Sequence, residues 1–76
     1  MTLREASDVT GIAYSTLYGN LTRGNLNGRM VHDVWDVSPS EVYGFVLYAW
    51  QCQTIGMYPP SRVRANFAAR GVEVLD

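Results

Sequence analysis

Residues 6–24, ASDVTGIAYSTLYGNLTRG, decide the fold, because a glycine lies between two short segments of helical character. Just before this stretch, Thr2 and Glu5 form the pattern of a capping box, which predicts a first helix from about Leu3 to Val9. Gly11 suits the end of that helix, since glycine readily adopts a positive φ angle. Ile12 follows directly and is predicted to enter the core.

The second half of the stretch predicts another helix, from about Ser15 to Arg23. Leu17 and Leu21 lie four residues apart, which is the spacing of one helical face. Gly24 is a suitable C-terminal stop for this helix. The whole stretch therefore predicts a helix, a glycine turn and a second helix.

A β-hairpin is predicted next. Asn27-Gly28 is typical of a turn, and residues 29–37, RMVHDVWDV, interleave valines and a tryptophan with polar residues. His32-Asp33 is predicted to form the tip of the hairpin, although a longer or displaced tip remains an alternative. Trp35 is predicted to pack on the core.

The clearest local signal in the chain is SPSE, residues 38–41. Ser38 is predicted as N-cap, Pro39 as the first helical residue, and Glu41 as the residue that completes a capping box. The third helix is predicted to run to about Gln53, and it is apolar nearly all round, which is typical of a helix that is buried or pairs with another surface. Its β-branched and aromatic content leaves a strand as an alternative for part of it.

The rest of the chain is predicted to be a short fourth helix, from Ser61 to Arg70, followed by an extended tail or edge strand at residues 72–74. A chain of 76 residues predicts a single domain. We divide it into a core of residues 1–43 and a helical extension of residues 44–76.

Charge and composition narrow the functional classes. The chain has six arginines, no lysine and seven acidic residues, for a net charge of -1, whereas DNA-binding domains are usually basic. The single cysteine, Cys52, excludes an internal disulfide and is predicted to be buried. The N-terminus lacks a signal-peptide pattern, and residues 42–50 are too few to span a membrane. We therefore expect a cytoplasmic protein with no membrane partner.

Residues 3–18, LREASDVTGIAYSTLY, resemble the helix-turn-helix of the MerR-type and excisionase-like winged-helix families. Those families typically show an alanine in the first helix, a glycine turn, an apolar residue, and then Ser-Thr-Leu-Tyr. The matching positions here are Ala6, Gly11, Ile12 and residues 15–18. Residues 34–42, VWDVSPSEV, resemble the second wing strand followed by the capped third helix. The resemblance covers about residues 2–43.

The resemblance implies a winged helix-turn-helix for this part of the chain. With the helices predicted from the residues that follow, the expected fold is mainly α with a small β-hairpin, that is, a winged helix-turn-helix followed by a long apolar helix and a short C-terminal helix. It implies a small sequence-specific protein that binds double-stranded DNA, as a transcription regulator or a phage excisionase-like architectural factor. Self-association as a dimer or array is expected with it. By position, the residues expected to contact DNA are Arg4, Tyr14, Ser15, Thr16, Tyr18, Arg23 and Arg29.

An alternative function rests on the net charge, the acids of the wing, Gly19 and the apolar third helix. It is a winged-helix scaffold used for protein binding, such as a small phage-encoded inhibitor of a host nucleic-acid machine. The interface predicted for a second copy or a host protein comprises Tyr43, Leu47, Tyr48 and Trp50. With His32 as the single histidine and the acids scattered, we expect no metal site, no cofactor and no enzyme.

Overall fold

Four helices and two strands follow one another in the computed structural model, which describes residues 1–52 and 55–74. In chain order they are α1 (Leu3–Thr10), α2 (Tyr14–Thr22), β1 (Arg29–Val31), β2 (Val34–Asp36), α3 (Pro39–Cys52) and α4 (Pro60–Ala69). The described part of the chain is thus mainly helical with one small antiparallel hairpin, as the sequence predicts.

The start and end of α1 are determined by local hydrogen bonds. The backbone N–H of Glu5 donates to Thr2 Oγ1 at 3.1 Å, and the backbone N–H of Thr2 donates to Glu5 Oε1 at 2.9 Å. Both halves of the predicted capping box are therefore present. The hydrogen bond from the backbone N–H of Thr2 to the Glu5 carboxylate, together with a smaller contribution from the Thr2 side chain, lowers the pKa of Glu5 below its ordinary value. Gly11 ends the helix in the left-handed region with a φ of 73°.

Helix α2 begins and ends one residue earlier than the sequence predicts. Leu17 and Leu21 are buried as expected, and Gly24 follows the helix with a φ of 83°. Ala13 occupies the N-cap position and makes no side-chain hydrogen bond there. Ile12, between the two helices, is buried in the core as predicted.

The hairpin pairs Arg29 with Asp36, Met30 with Trp35, and Val31 with Val34 in antiparallel register. Its tip is His32-Asp33, as predicted, and the φ angles are 50° and 63°. Two positive φ angles in a two-residue connection are the mark of a type I′ turn, which favours Asn-Gly. The histidine and the aspartate are therefore held in a conformation that suits other residues better.

Asp33→Gly is accordingly expected to raise the free energy of unfolding by about 1 kcal/mol, because glycine adopts a positive φ without a steric penalty. The thermal midpoint should rise by roughly 4–8 °C in a domain of this size. Differential scanning calorimetry measures both quantities. Gly24→Asp, which introduces an aspartate at a φ of 83°, is the matched reverse change and should lower the midpoint. An unchanged or lower midpoint for Asp33→Gly would contradict this turn geometry.

The predicted turn at Asn27-Gly28 is wrong. The chain turns at residues 23–24, and residues 27–28 lead directly into β1. Gly28 lies against the core, where a Cβ atom would be 2.8 Å from Val37 Cγ1 and 2.9 Å from Leu21 Cδ1. A glycine is required there by close packing between the base of the hairpin and α2.

Helix α3 begins at Pro39 as predicted, and Ser38 Oγ accepts from the backbone N–H of Glu41 at 3.1 Å. The Glu41 carboxylate accepts from Asn27 Nδ2 at 3.3 Å, so it ties the helix to the preceding loop. Residues 42–52 are helical, so the alternative of a strand in this part of the chain is wrong. Gln53, the predicted end of the helix, lies outside the described residues.

The prediction that Cys52 is buried is wrong, because its side chain is exposed. Helical geometry explains the difference. Val42, Val46 and Ala49 form the buried side of α3, whereas Cys52 lies one turn beyond the exposed Tyr48.

The C-terminal part of the chain packs on the same core as the N-terminal part. Val63 and Phe67 of α4 are fully buried. Asn66 Nδ2 donates to the carbonyl of Val9 at 2.9 Å, and the backbone N–H of Tyr58 donates to the carbonyl of Thr10 at 2.8 Å. Helix α4 therefore packs against α1 as well as against α3.

Two further features complete the core. Trp35 is half-buried and packs against the core cluster. Residues 72–74 lie outside any strand, and Val74 is buried.

Across residues 1–52 and 55–74, no helix combines the length and apolar character needed to cross a membrane.

Candidate nucleic-acid interface

The outward face of α2 carries hydroxyl groups and no charge. Tyr14 is 41% exposed and Tyr18 is 45% exposed, and Ser15 is exposed beside them. Thr16 is half-buried, because it lies next to the inward-facing Leu17. All nine residues of α2, YSTLYGNLT, are uncharged, so the face offers hydrogen-bonding groups without repelling an anion.

Arg4 lies at the N-terminal end of this face. Its guanidinium carbon is 5.4 Å from the centroid of the Tyr14 ring, which is within the range of a cation–π contact. The side chain belongs to the first turn of α1, yet the contact holds it beside the first turn of α2. The structure thus brings together two of the predicted DNA-contacting residues from different helices.

Arg23 lies at the C-terminal end of the same helix. A Cβ atom at Gly19 would be 3.2 Å from Arg23 Nη1, so the guanidinium lies over the glycine. The absence of a side chain at Gly19 leaves the space that the arginine uses. The uncharged face of α2 therefore has one guanidinium beside Tyr14 and another over Gly19, and Gly19 follows Tyr14 by about 7.5 Å along the helix axis.

A groove connects this face to the hairpin. It has a volume of about 340 Å³ and is lined by Thr2, Leu3, Arg4, Tyr14, Asp33, Val34 and Trp35. Asp33 and Arg4 both line the groove, so a negatively charged residue offsets part of the positive charge at this end. The predicted Arg29 lies elsewhere, at the base of the hairpin, where its partner across the strands is Asp36.

Asn20 has a structural role in this helix that the sequence did not predict. It is buried; its Nδ2 donates to the carbonyl of Thr16 at 2.8 Å, and its Oδ1 accepts from Asn25 Nδ2 at 3.2 Å. The side chain thereby ties the loop after α2 to the helix. Its position three residues after Leu17, on the buried face, is the signal that identifies it.

The hairpin carries an apolar surface that the sequence analysis also missed. Met30 is 53% exposed, Val31 is 39% exposed and Val34 is 50% exposed. Val31 and Val34 are paired across the strands and share one face of the hairpin, whereas Met30 shares the opposite face with Trp35, because successive side chains of a strand alternate. The alternating pattern of residues 29–37 contains this signal.

The predicted partner interface on α3 divides into two parts. Tyr43 is only 2% exposed and belongs to the core, and Leu47 is half-buried. Tyr48 is 64% exposed and Trp50 is 40% exposed. The exposed part of this predicted interface therefore comprises Tyr48 and Trp50, and Tyr43 is not available on this surface.

Within the described residues, no three His, Cys, Asp or Glu side chains cluster in a way that would hold a metal ion. Comparisons with protein-family models, with curated proteins and with solved structures find no match for the chain.

Proposed function

We propose that the chain is a small protein that binds double-stranded DNA through a winged helix-turn-helix, with α2 in the major groove and the hairpin as the wing. The observation that carries this proposal is the uncharged, hydroxyl-bearing face of α2 between the guanidinium groups of Arg4 and Arg23. The major groove of B-DNA is wide enough to admit one helix. A transcription regulator or an excisionase-like architectural factor is the role that such a module serves.

The two ends of α2 supply the contacts to the DNA backbone. Arginine forms charge-assisted bonds to phosphate, and Arg4 and Arg23 are exposed on either side of the helix. Because Ala13 provides no side-chain cap, the first N–H groups of α2 remain available to a phosphate oxygen. Between these ends, the hydroxyl groups of Ser15 and Tyr18 face the bases.

The charge distribution limits the strength of binding. Affinity for DNA falls with salt in proportion to the number of phosphates that are neutralised, at about 0.9 logarithmic units per phosphate. Arg4, Arg23 and Arg29 are the basic side chains of this region, and the Asp33 carboxylate opposes them. We expect a salt slope of about 2–3, and tight binding only where more than one copy contacts the same duplex.

Fluorescence anisotropy with a labelled duplex from the gene's own locus, at about 50 mM salt, tests the proposal. Arg23→Ala should weaken binding and reduce the salt slope by about one unit, because one phosphate contact is lost. Arg64→Ala removes the same charge from α4 and is the matched control, since its side chain points to the carbonyl of Val74. Equal losses in the two variants, or no binding at all, would refute the proposal.

The exposed apolar side chains of the hairpin favour a second candidate function, the binding of a host protein. Val31 and Val34, which share one face of the hairpin, offer an apolar surface for which phosphate has no affinity. A pull-down that compares the wild type with Val34→Ser distinguishes the candidates. A host protein that is retained by the wild type and lost with Val34→Ser, in a chain that fails to bind DNA, supports this second function.

A further inference from the structure

Gly44 lies exposed in the middle of α3, and nothing in residues 1–52 and 55–74 accounts for a glycine at this position. A Cβ atom there would meet no other atom within 4 Å. Its φ angle is not positive, unlike those of Gly11, Gly24 and Gly71. Glycine in a helix interior is less favourable than alanine, because it loses more backbone entropy on folding. Neither packing nor backbone conformation within the described chain requires glycine at this position.

A depression lies over Gly44. Its volume is about 360 Å³, and it is lined by Asn25, Ser40, Glu41, Gly44, Phe45 and Tyr48. The glycine and the phenylalanine give the depression an apolar part, and the asparagine, serine and glutamate give it hydrogen-bonding groups. This combination suits a tyrosine side chain, which has an apolar ring and a polar tip.

The chain presents such a tyrosine on the same face. Tyr48 lies one helical turn after Gly44 and is 64% exposed, the largest exposed fraction among the large apolar side chains of the described residues. A depression and a side chain that fits it, on one face of one helix, make that face self-complementary. When two copies are related by a two-fold axis, the tyrosine of each copy meets the depression of the other.

We propose that a second copy of this chain docks on α3, with Tyr48 of each copy filling the depression over Gly44 of the other. The two α3 helices cross in antiparallel directions, so that each glycine faces the partner's tyrosine. A side chain at position 44 would keep the helices apart, which accounts for the glycine.

Charge favours the antiparallel crossing of the two copies over a parallel one. Glu41 is the single charged side chain of α3 and lies in its first turn, and the last turn carries none. In an antiparallel crossing the two Glu41 carboxylates lie at opposite ends of the contact. Like charges therefore do not meet, as they would in a parallel arrangement.

The contact is small. A buried tyrosine removes about 150–250 Å² from solvent, and two of them with their surroundings stay below the roughly 1,200 Å² of a standard stable interface. We therefore expect a weak dimer, with a dissociation constant of about 10 μM to 1 mM. The pairing does not depend on the proposed DNA binding.

Sedimentation equilibrium at protein concentrations from about 10 μM to 1 mM measures the association. The wild type should form dimers, and Tyr48→Ala should weaken dimerisation at least about thirtyfold, which corresponds to the 2 kcal/mol or more that truncation of a hot-spot aromatic residue costs. Gly44→Gln should weaken dimerisation by a similar factor, because the glutamine side chain occupies the depression. Because glutamine favours helix more than glycine does, this variant should melt at a higher temperature, which separates lost pairing from lost folding.

Tyr18→Ala removes an exposed tyrosine from α2 and is the matched control, which should leave dimerisation unchanged. Three results would overturn the proposal. They are a wild type that stays monomeric at about 1 mM, a Gly44→Gln variant that dimerises like the wild type, and a loss with Tyr18→Ala as large as that with Tyr48→Ala.

Discussion

Phe67→Ala is expected to lower the free energy of unfolding by about 3–5 kcal/mol, as the removal of a fully buried aromatic side chain does elsewhere. Phe67 is 0% exposed and lies on α4, which packs against both α1 and α3. A domain of this length has a total stability of roughly 4–11 kcal/mol. The variant should therefore lose a large part of its stability, and urea denaturation followed by circular dichroism measures the loss.

The control for this prediction is Tyr48→Ala, which removes an aromatic side chain of similar size from an exposed position on α3. At concentrations of a few micromolar, where the weak dimer is dissociated, its effect should stay within about 0.5 kcal/mol. If Phe67→Ala cost no more than Tyr48→Ala, residues 57–74 would not share the core of the N-terminal helices.

Gly28→Ala is expected to lower the free energy of unfolding by about 1–3 kcal/mol, because the added methyl group overpacks the base of the hairpin. It would lie 2.8 Å from Val37 Cγ1, 2.9 Å from Leu21 Cδ1 and 3.1 Å from the carbonyl oxygen of Asp36. The valine is 1% exposed and the leucine 7%, so neither side chain has free space to move into. The hairpin must shift away from α2 to admit the methyl group.

Gly44→Ala is the matched control for Gly28→Ala, since its methyl group meets no atom within 4 Å. In dilute solution it should stabilise the monomer by about 0.5–1 kcal/mol, because alanine favours helix. The two glycine-to-alanine changes therefore have opposite expected signs. A neutral or stabilising effect of Gly28→Ala would contradict the close approach of the hairpin base to α2. Urea denaturation of both variants, measured side by side, provides the comparison.

The sequence predicted those parts of the fold that short-range interactions determine. Thr2 and Glu5 are three residues apart, and Ser38 caps a helix whose first residue is the next one. Gly11 ends α1 through its own φ angle. Each of these signals lies within one helical turn, so no knowledge of the tertiary structure is needed to interpret it.

The errors arose where distant residues decide the outcome. Asn27-Gly28 has the composition of a turn, yet its glycine is required by Val37 and Leu21, which pack against it from other parts of the chain. Cys52 was predicted to be buried because cysteine usually is, whereas the orientation of α3 on the core exposes its side chain. A helix that is apolar nearly all round does not show in its sequence which side faces the core.

In the candidate site too, the sequence predicts what neighbouring residues determine and does not predict what tertiary packing determines. Arg23 and Gly19 are four residues apart, so helical spacing alone puts them on one face. The approach of Arg4 to Tyr14 depends on the angle between α1 and α2, which the sequence does not specify. Likewise, the sequence predicts both Tyr43 and Tyr48 as interface residues. Only the packing of α3 shows that the first ring is buried and the second exposed.

The binding of DNA by the outward face of α2 is tested most directly by NMR, through amide chemical-shift changes on addition of a short duplex from the gene's own locus. We predict that the largest changes fall on residues 14–23, on Arg4 and on the hairpin tip, and that α4 remains unperturbed. Changes confined to the exposed part of α3, or an unchanged spectrum at low salt, would contradict the proposed function.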